Sequence, residues 1–164
     1  MNWSTLNLLG YAGLIPFLGL GAAAHFIHDP QLQGLLLKAN ALYGASIVSF
    51  LGAIHWGLAL GMHAAADPQC NCAADEHRRD GQISMPNWDS RELVWGITPS
   101  LMAWAATTLL PARDACAALV LCLITVWCVD TRLYSRLASL ARFLSLRTQL
   151  TLGAVGGLLM STVA

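Results

Sequence analysis

Long apolar runs, separated by short polar stretches, dominate this chain of 164 residues. A helix that crosses a bilayer needs about 17–25 apolar residues, and five runs reach or approach that length. They lie at residues 6–27, 39–62, 93–110, 115–130 and 148–164. The runs lack the alternation of a barrel wall, and backbone groups in lipid must be satisfied within each segment. The pattern predicts an all-α integral membrane protein, a five-transmembrane-helix bundle in a single domain, 1–164.

Two polar stretches interrupt the apolar pattern. Residues 63–92 mix acidic and basic side chains with proline and glycine, which predicts a solvated loop. In residues 131–147, leucines recur at helical spacing and arginines fall mostly on the other side. These arginines are Arg132, Arg136, Arg142 and Arg147. The second stretch therefore predicts a cytoplasmic amphipathic helix before the last span, whose arginines bind headgroups at the membrane surface or cap the bundle.

Charge is scarce and unevenly placed along the chain. Charged residues make up 11% of the sequence, against about 25% in a typical soluble domain. With five spans, seven of the nine lysines and arginines fall on the side of the N-terminus, which predicts a cytoplasmic or matrix-side N-terminus. The absence of an Arg-rich presequence favours a bacterial inner membrane over the mitochondrial inner membrane. Net charge is zero, so no nucleic-acid partner is expected.

Small residues recur at four-residue spacing in two of the runs. Gly57 and Gly61 form one G-x-x-x-G pair, and Gly153 and Gly157 form another. Such pairs let helix backbones approach closely in lipid. Two uses remain open, packing of helices within this chain or formation of a homodimer.

His55 stands beside a tryptophan within the second apolar run. It lies about 10 Å from the end of the run, at 1.5 Å per residue, and a buried imidazole there requires a polar partner or a watery cavity. The topology brings polar and aromatic residues from three helices to a similar depth. This candidate cavity comprises His55, Trp56, Trp95, Thr98, Pro99, Ser100 and Asp130. His55 then either bonds a hydroxyl or carboxylate beside a ligand, or fixes helix register as a structural residue.

The sequence contains few other candidate metal or catalytic sites. His25, His28 and Asp29 would share one helix face and hold a metal only if the first helix continued through them, and Pro30 argues against this. No metal is therefore expected. No nucleophile elbow, phosphate loop or pair of catalytic carboxylates is present, so the sequence leans away from an enzyme and toward no resident cofactor.

Three blocks of sequence resemble a small membrane-protein family. They are "SFLGAIHWGLAL" at 49–60, "WGITPSLMAW" at 95–104 and "VDTRLYS…SLRTQLTL" at 129–152. The residues that carry the resemblance are Gly52, His55, Trp56, Gly57, Trp95, Pro99, Ser100, Ala103, Trp104, Asp130, Leu146, Arg147, Leu150 and Thr151. The family is a domain of unknown function that includes mitochondrial transmembrane protein 69. The resemblance implies an inner-membrane location and supplies no activity.

Three functions are compatible with these features. The first is a non-enzymatic scaffold or assembly partner of a membrane complex, suggested by short loops and small-residue rows. The second is a protein centred on His55 that binds haem, quinone or a lipid. The third is a small transporter, which lacks support from an internal repeat. The expected partners are the lipid bilayer and either a larger membrane complex or a second copy of the chain.

Overall fold

The computed structural model describes residues 3–66, 90–134 and 141–164, and these ranges form helices with short connections and no strand. The helices are α1 (Trp3–Ala12), α2 (Leu14–Phe26), α3 (Pro30–Ala66), α4 (Ser90–Leu109), α5 (Ala112–Tyr134) and α6 (Ala141–Val163). Four segments in these ranges are long and apolar enough to cross a membrane: Trp3–Phe26, Pro30–Gly57, Ala112–Arg132 and Arg142–Val163. The prediction of an all-helical protein with several membrane-spanning helices is therefore confirmed. The predicted third span forms α4 but is not among the four, so the count of five stays a prediction.

The first span is divided into α1 and α2 by a proline. Pro16 has no N–H, and its ring conflicts with the carbonyl four residues earlier, which belongs to Ala12, the last residue of α1. Gly13 carries the chain into α2, and its carbonyl accepts a hydrogen bond of 2.8 Å from the Tyr43 hydroxyl of α3. The break is thus held against a neighbouring helix.

The first turn between spans begins where α2 ends, at Phe26. Asp29 then caps α3, since its side-chain Oδ1 accepts the Gln31 N–H at 3.2 Å, and Pro30 occupies the first helical position. His28 and Asp29 therefore lie beyond α2 and do not continue a face that begins at His25. Among the described residues, no group of three potential metal ligands is brought together.

Four helical elements form a ring, in which α2 contacts α3, α3 contacts α5, α5 contacts α6 and α6 contacts α2. α4 packs outside this ring against α3 and α5. The core inside the ring is apolar, as expected for helices packed by van der Waals contact in lipid. Its largest buried apolar side chains are Phe17, Leu119, Leu123, Leu158, Val48 and Val126.

Close helix contacts occur at some of the predicted glycines and not at others. A Cβ on Gly157 would lie 2.8 Å from the Phe17 backbone of α2, and one on Gly153 would lie 2.6 Å from the Leu14 side chain. Both glycines therefore serve packing within the chain. Gly57, in contrast, has no atom of a described residue within 4 Å of its Cβ position, apart from the backbone of its own helix. The surroundings of Gly61 lie outside the described side chains.

The two predicted polar stretches are shorter than expected where the structure describes them. α3 extends to Ala66 and α4 begins at Ser90, so residues 67–89 of the predicted loop lie outside the description. The amphipathic segment, 131–147, is shared between the end of α5 and the start of α6, and residues 135–140, including Arg136, lie outside the description. α6 begins at Ala141, well before the predicted start at residue 148, which changes the position of Arg147.

Candidate functional site

Three charged or ionisable side chains meet inside the bundle. Nε2 of His55 lies 2.9 Å from Oδ1 of Asp130, and Nη2 of Arg147 pairs with Oδ2 of the same carboxylate. All three are buried, with 2%, 1% and 6% of their side-chain surfaces exposed. We call these residues the charged triad. It joins α3, α5 and α6, so one carboxylate links three helices.

The helix ends explain why the triad residues reach one another. Asp130 lies in the last turns of α5, and Arg147 lies in the second turn of α6. Both are within about 10 Å of their helix ends at 1.5 Å per residue. Beside them, Nε1 of Trp127 donates a hydrogen bond of 3.0 Å to Oγ1 of Thr148. This second bond between α5 and α6 fixes the register that sets Asp130 opposite Arg147.

The triad is arranged so that its charges alternate. An ionised carboxylate only accepts hydrogen bonds, so the His55 tautomer that complements Asp130 is the one with its proton on Nε2. Arg147 is a cation at any relevant pH. The three groups are therefore neutral together when the His55 ring is neutral, and they carry one positive charge when it is protonated. Burial of these groups is tolerable because each charge has a partner.

An apolar cleft of about 400 Å³ opens beside the triad. It lies between α1, α2, α3 and α6, with Leu123 of α5 at its base, and its rim includes the exposed side chains of Leu9 and Phe50. Along α6 it extends from Phe143 to Ala154, which is roughly 16 Å at 1.5 Å per residue. The cleft is thus long enough to accommodate a hydrocarbon chain.

Arg147 connects the cleft to the triad. Among the described residues that line the cleft, it is the one charged side chain, and Thr151 is the one hydroxyl. Arg147 lies about one helical turn from the Phe143 end and about two turns from the Ala154 end, and the lining between Arg147 and Ala154 is apolar apart from Thr151. His55 and Asp130 lie behind Arg147 and do not line the cleft.

The predicted cavity residues of α4 occupy other positions. Thr98 donates its hydroxyl hydrogen bond to the Val94 carbonyl of its own helix at 2.9 Å. Pro99 is buried, and its carbonyl faces the Cys122 thiol of α5 at 4.0 Å. These residues therefore take part in the packing of α4. Nε1 of Trp95 is buried and has no hydrogen-bond partner within the described part of the chain.

α3 and α4 cross at two glycines near the triad. A Cβ on Gly52 would overlap the carbonyl oxygen of Gly96 and would lie 3.7 Å from Oγ of Ser100. A Cβ on Gly96 would overlap the ring of Trp56, with 2.7 Å to Nε1. Trp56 is 41% exposed and therefore covers this crossing from the outside. The crossing is one helical turn from His55 and fixes the position of His55 along the axis of the bundle.

The arginines of the predicted surface group divide into two kinds. Arg132 and Arg142 are exposed, as a position on the membrane surface requires. Arg147 instead is buried against Asp130, which departs from its predicted place at the surface. The available signal was its position in the third block, since Leu146, Arg147, Leu150 and Thr151 all line the cleft.

A second buried polar contact has no counterpart in the sequence predictions. Asn40 of α3 and Ser161 of α6 are fully buried, and Nδ2 of Asn40 donates a hydrogen bond of 2.7 Å to Oγ of Ser161. It ties α3 to α6 at the opposite end of the bundle from the triad. A lone asparagine in an apolar run, followed far along the chain by a serine in another, is too weak a signal to pair them.

Known proteins resemble this chain over most of its length. The model of a family described as "Protein of unknown function (DUF3429)" matches residues 4–163. Transmembrane protein 69 of Xenopus tropicalis is 31% identical over 100 residues, which is 60% of this chain and 30% of that protein. The match thus spans less than a third of the relative's length. No solved structure matches the chain.

Proposed function

This chain belongs to the DUF3429 family, and from that premise we propose that it binds an amphiphilic molecule of the bilayer without transforming it. The observation that carries the proposal is the cleft of about 400 Å³ with Arg147 in its wall. Ligand pockets are commonly about 300–1,000 Å³, mostly apolar, with a few placed polar groups. The cleft has this composition. It lies beside the triad and is supported by the ion pair and the hydrogen bond that hold α5 against α6.

A lipid-like ligand suits the site better than haem does. Nε2 of His55 faces Asp130 at 2.9 Å, and His55 lies outside the lining of the cleft. An axial ligand would have to present a free ring nitrogen to the iron. A molecule with an acceptor group and a long apolar tail instead matches a lining that is apolar apart from Arg147 and Thr151, and both lipids and quinones have that form.

A matched pair of leucines on α1 tests this proposal. Leu9 lines the cleft and is 67% exposed, whereas Leu8 is 71% exposed and does not line it. Leu9→Trp should narrow the cleft and lower the amount of lipid that native mass spectrometry finds retained, while Leu8→Trp should retain as much as the parent. Equal retention in both variants, with unchanged melting, would refute binding in the cleft.

A scaffold role is the second candidate, and one observation favours it. Ala53 and Gly57 of α3 are exposed, and among the described residues only the backbone of α3 itself comes within 4 Å of the Cβ position of Gly57. A helix of a larger complex, or of a second copy, fits such a face. Gly57→Leu should release partners that copurify in mild detergent. Gly34→Leu, at an equally open position near the other end of α3, is the control.

We further propose a location and an orientation for the chain. α4 is 20 residues long, enough to cross about 30 Å of hydrocarbon, so it serves as the fifth span. The N-terminus then faces the cytoplasm of a bacterial inner membrane, by the positive-inside rule. Reporter fusions at Ala164 should be active on the outer side only, and cytoplasmic activity there would contradict the five-span topology.

A further inference from the structure

We propose that the ligand carries an oxygen anion, a carboxylate or a phosphate, which binds at Arg147, and that its binding takes up one proton at His55. This inference rests on the proposed function, because it names the headgroup that the cleft accepts. It also assigns the triad a role in binding.

The donors in the cleft select the headgroup. A guanidinium donates hydrogen bonds and accepts none, and its planar fork matches carboxylate and phosphate oxygens. Apart from Arg147 and Thr151, the described lining is apolar. A zwitterionic or sugar headgroup would leave its cation or its many hydroxyls without partners, which is costly in a buried site. A small headgroup made of acceptor oxygens is the class that remains.

The charge of the triad sets the condition for binding. With neutral His55, Asp130 and Arg147 cancel, and an added anion would leave one uncompensated negative charge in a region of low dielectric. A proton on the second nitrogen of the His55 ring restores neutrality. His55, Asp130, Arg147 and the ligand then form a row of alternating charges. The ligand enters as the anion, the proton comes from solvent, and no bond of the ligand breaks.

His55 is the site of this proton because the groups that face it do not take it up. From α5 it faces Asp130, and from α6 it faces Arg147 across that carboxylate. α4 has no titratable side chain between Val94 and Leu109. Within Pro30–Gly57 of α3 the other titratable groups are Lys38 and Tyr43, which lie more than two helical turns away. Among the side chains that the structure describes, His55 is therefore the group beside Asp130 that can gain a proton.

The shape of the cleft orients the tail. Arg147 lies near the Phe143 end of the cleft, and Ala154 marks the other end, deeper along α6. The headgroup therefore lies near the helix ends, and the chain extends toward the middle of the bundle. A fatty acid and a single-chain lipid phosphate share this chemistry, and the experiment distinguishes them.

Four probes of equal chain length test the inference in nanodiscs of neutral lipid. Hexadecanesulfonate keeps its charge at all pH values, hexadecanol carries none, and palmitate and hexadecyl phosphate represent the two natural sources. Hexadecanesulfonate should bind more tightly as pH falls, by about tenfold per unit where one proton is taken up. Hexadecanol should bind more weakly and without pH dependence. Palmitate and hexadecyl phosphate are compared at one pH. The one that binds more tightly shows whether the ligand is a fatty acid or a single-chain lipid phosphate.

Two histidine variants assign the proton. His55→Gln keeps an amide donor for Asp130 and should abolish the pH dependence of hexadecanesulfonate binding, while His25→Gln, at an exposed position, should preserve it. An unchanged slope in His55→Gln overturns the inference. Equal, pH-independent binding of hexadecanol, or tighter binding of a decyl quinone, also overturns it but leaves the proposed function standing. If Leu9→Trp weakens the binding of none of the probes, the proposed function itself fails.

Discussion

His55 and Asp130 are far apart in the sequence, yet Nε2 of His55 lies 2.9 Å from Oδ1 of Asp130 inside the bundle. The same carboxylate pairs with Arg147, so Asp130 holds α3, α5 and α6 together through its two oxygens. A buried carboxylate is stable only with such partners. Because Arg147 also lines the cleft, a change at the carboxylate affects both the stability of the bundle and the properties of the cleft.

Loss of the Asp130 charge should destabilise the bundle strongly. Asp130→Ala leaves Arg147 buried without its carboxylate, and breaking a buried pair costs about 3–5 kcal/mol. Circular dichroism in detergent should show a much lower melting temperature. Asp114→Asn, an exposed change in the first turn of the same helix, should shift melting little. Equal effects of the two variants would contradict the assignment of Asp130 as the link between helices.

The contact between Asn40 and Ser161 should contribute less than the triad but measurably. A net hydrogen bond stabilises by about 0.5–1.5 kcal/mol, and a buried group left without a partner costs about 1–3 kcal/mol. Asn40→Ala should lower the free energy of unfolding by an amount in this range. The double variant with Ser161→Ala should cost less than the sum of the single changes. Strict additivity would show that the two side chains do not interact.

The crossing of α3 and α4 predicts different outcomes at its two glycines. Gly96→Ala collides with the indole of Trp56, a side chain that can move outward, whereas Gly52→Ala collides with the backbone carbonyl of Gly96. Trp56→Ala should therefore restore the melting temperature of Gly96→Ala but not that of Gly52→Ala.

Gly34→Ala is the matched control for these variants. Its Cβ position is open, and alanine favours a helix over glycine by up to about 1 kcal/mol. Melting at or above the parent temperature is therefore expected. If Trp56→Ala restored the melting temperature of Gly52→Ala, the contact assigned between Gly52 and the Gly96 backbone would be contradicted.

The depth of His55 and Asp130 could be predicted from the sequence, whereas the position of Arg147 could not. Apolar runs fix which residues enter the membrane, and alternating span direction then places His55 and the end of α5 at one level. The direction of Arg147 depends on where α6 begins. A helix starting at residue 148 leaves Arg147 at the surface, while the observed start at Ala141 adds about two turns and turns its side chain toward Asp130.

The cleft could not be predicted because it depends on how α1, α3 and α6 separate from one another. The hydrophobic pattern of one helix shows which of its faces is apolar, but it does not show whether a neighbouring helix covers that face. Leu9 and Phe50 are as apolar as the buried core residues, yet they remain exposed at the rim. The break at Ala12, which follows from Pro16, sets the direction of α1 and therefore the width of the cleft.

Removal of both charges should separate the structural role of the triad from its binding role. In the double variant Asp130→Asn and Arg147→Met no unpaired ion is left, so the cost of about 3–5 kcal/mol for an uncompensated buried charge does not arise. Its melting temperature should therefore lie well above that of Asp130→Ala. Binding of hexadecanesulfonate should nevertheless be lost, because the cleft no longer holds a cation. Arg142→Met, which removes an exposed arginine from the start of the same helix, should keep both properties. A double variant that melts like the parent and still binds the sulfonate with the parent's pH dependence would show that the anion is held elsewhere.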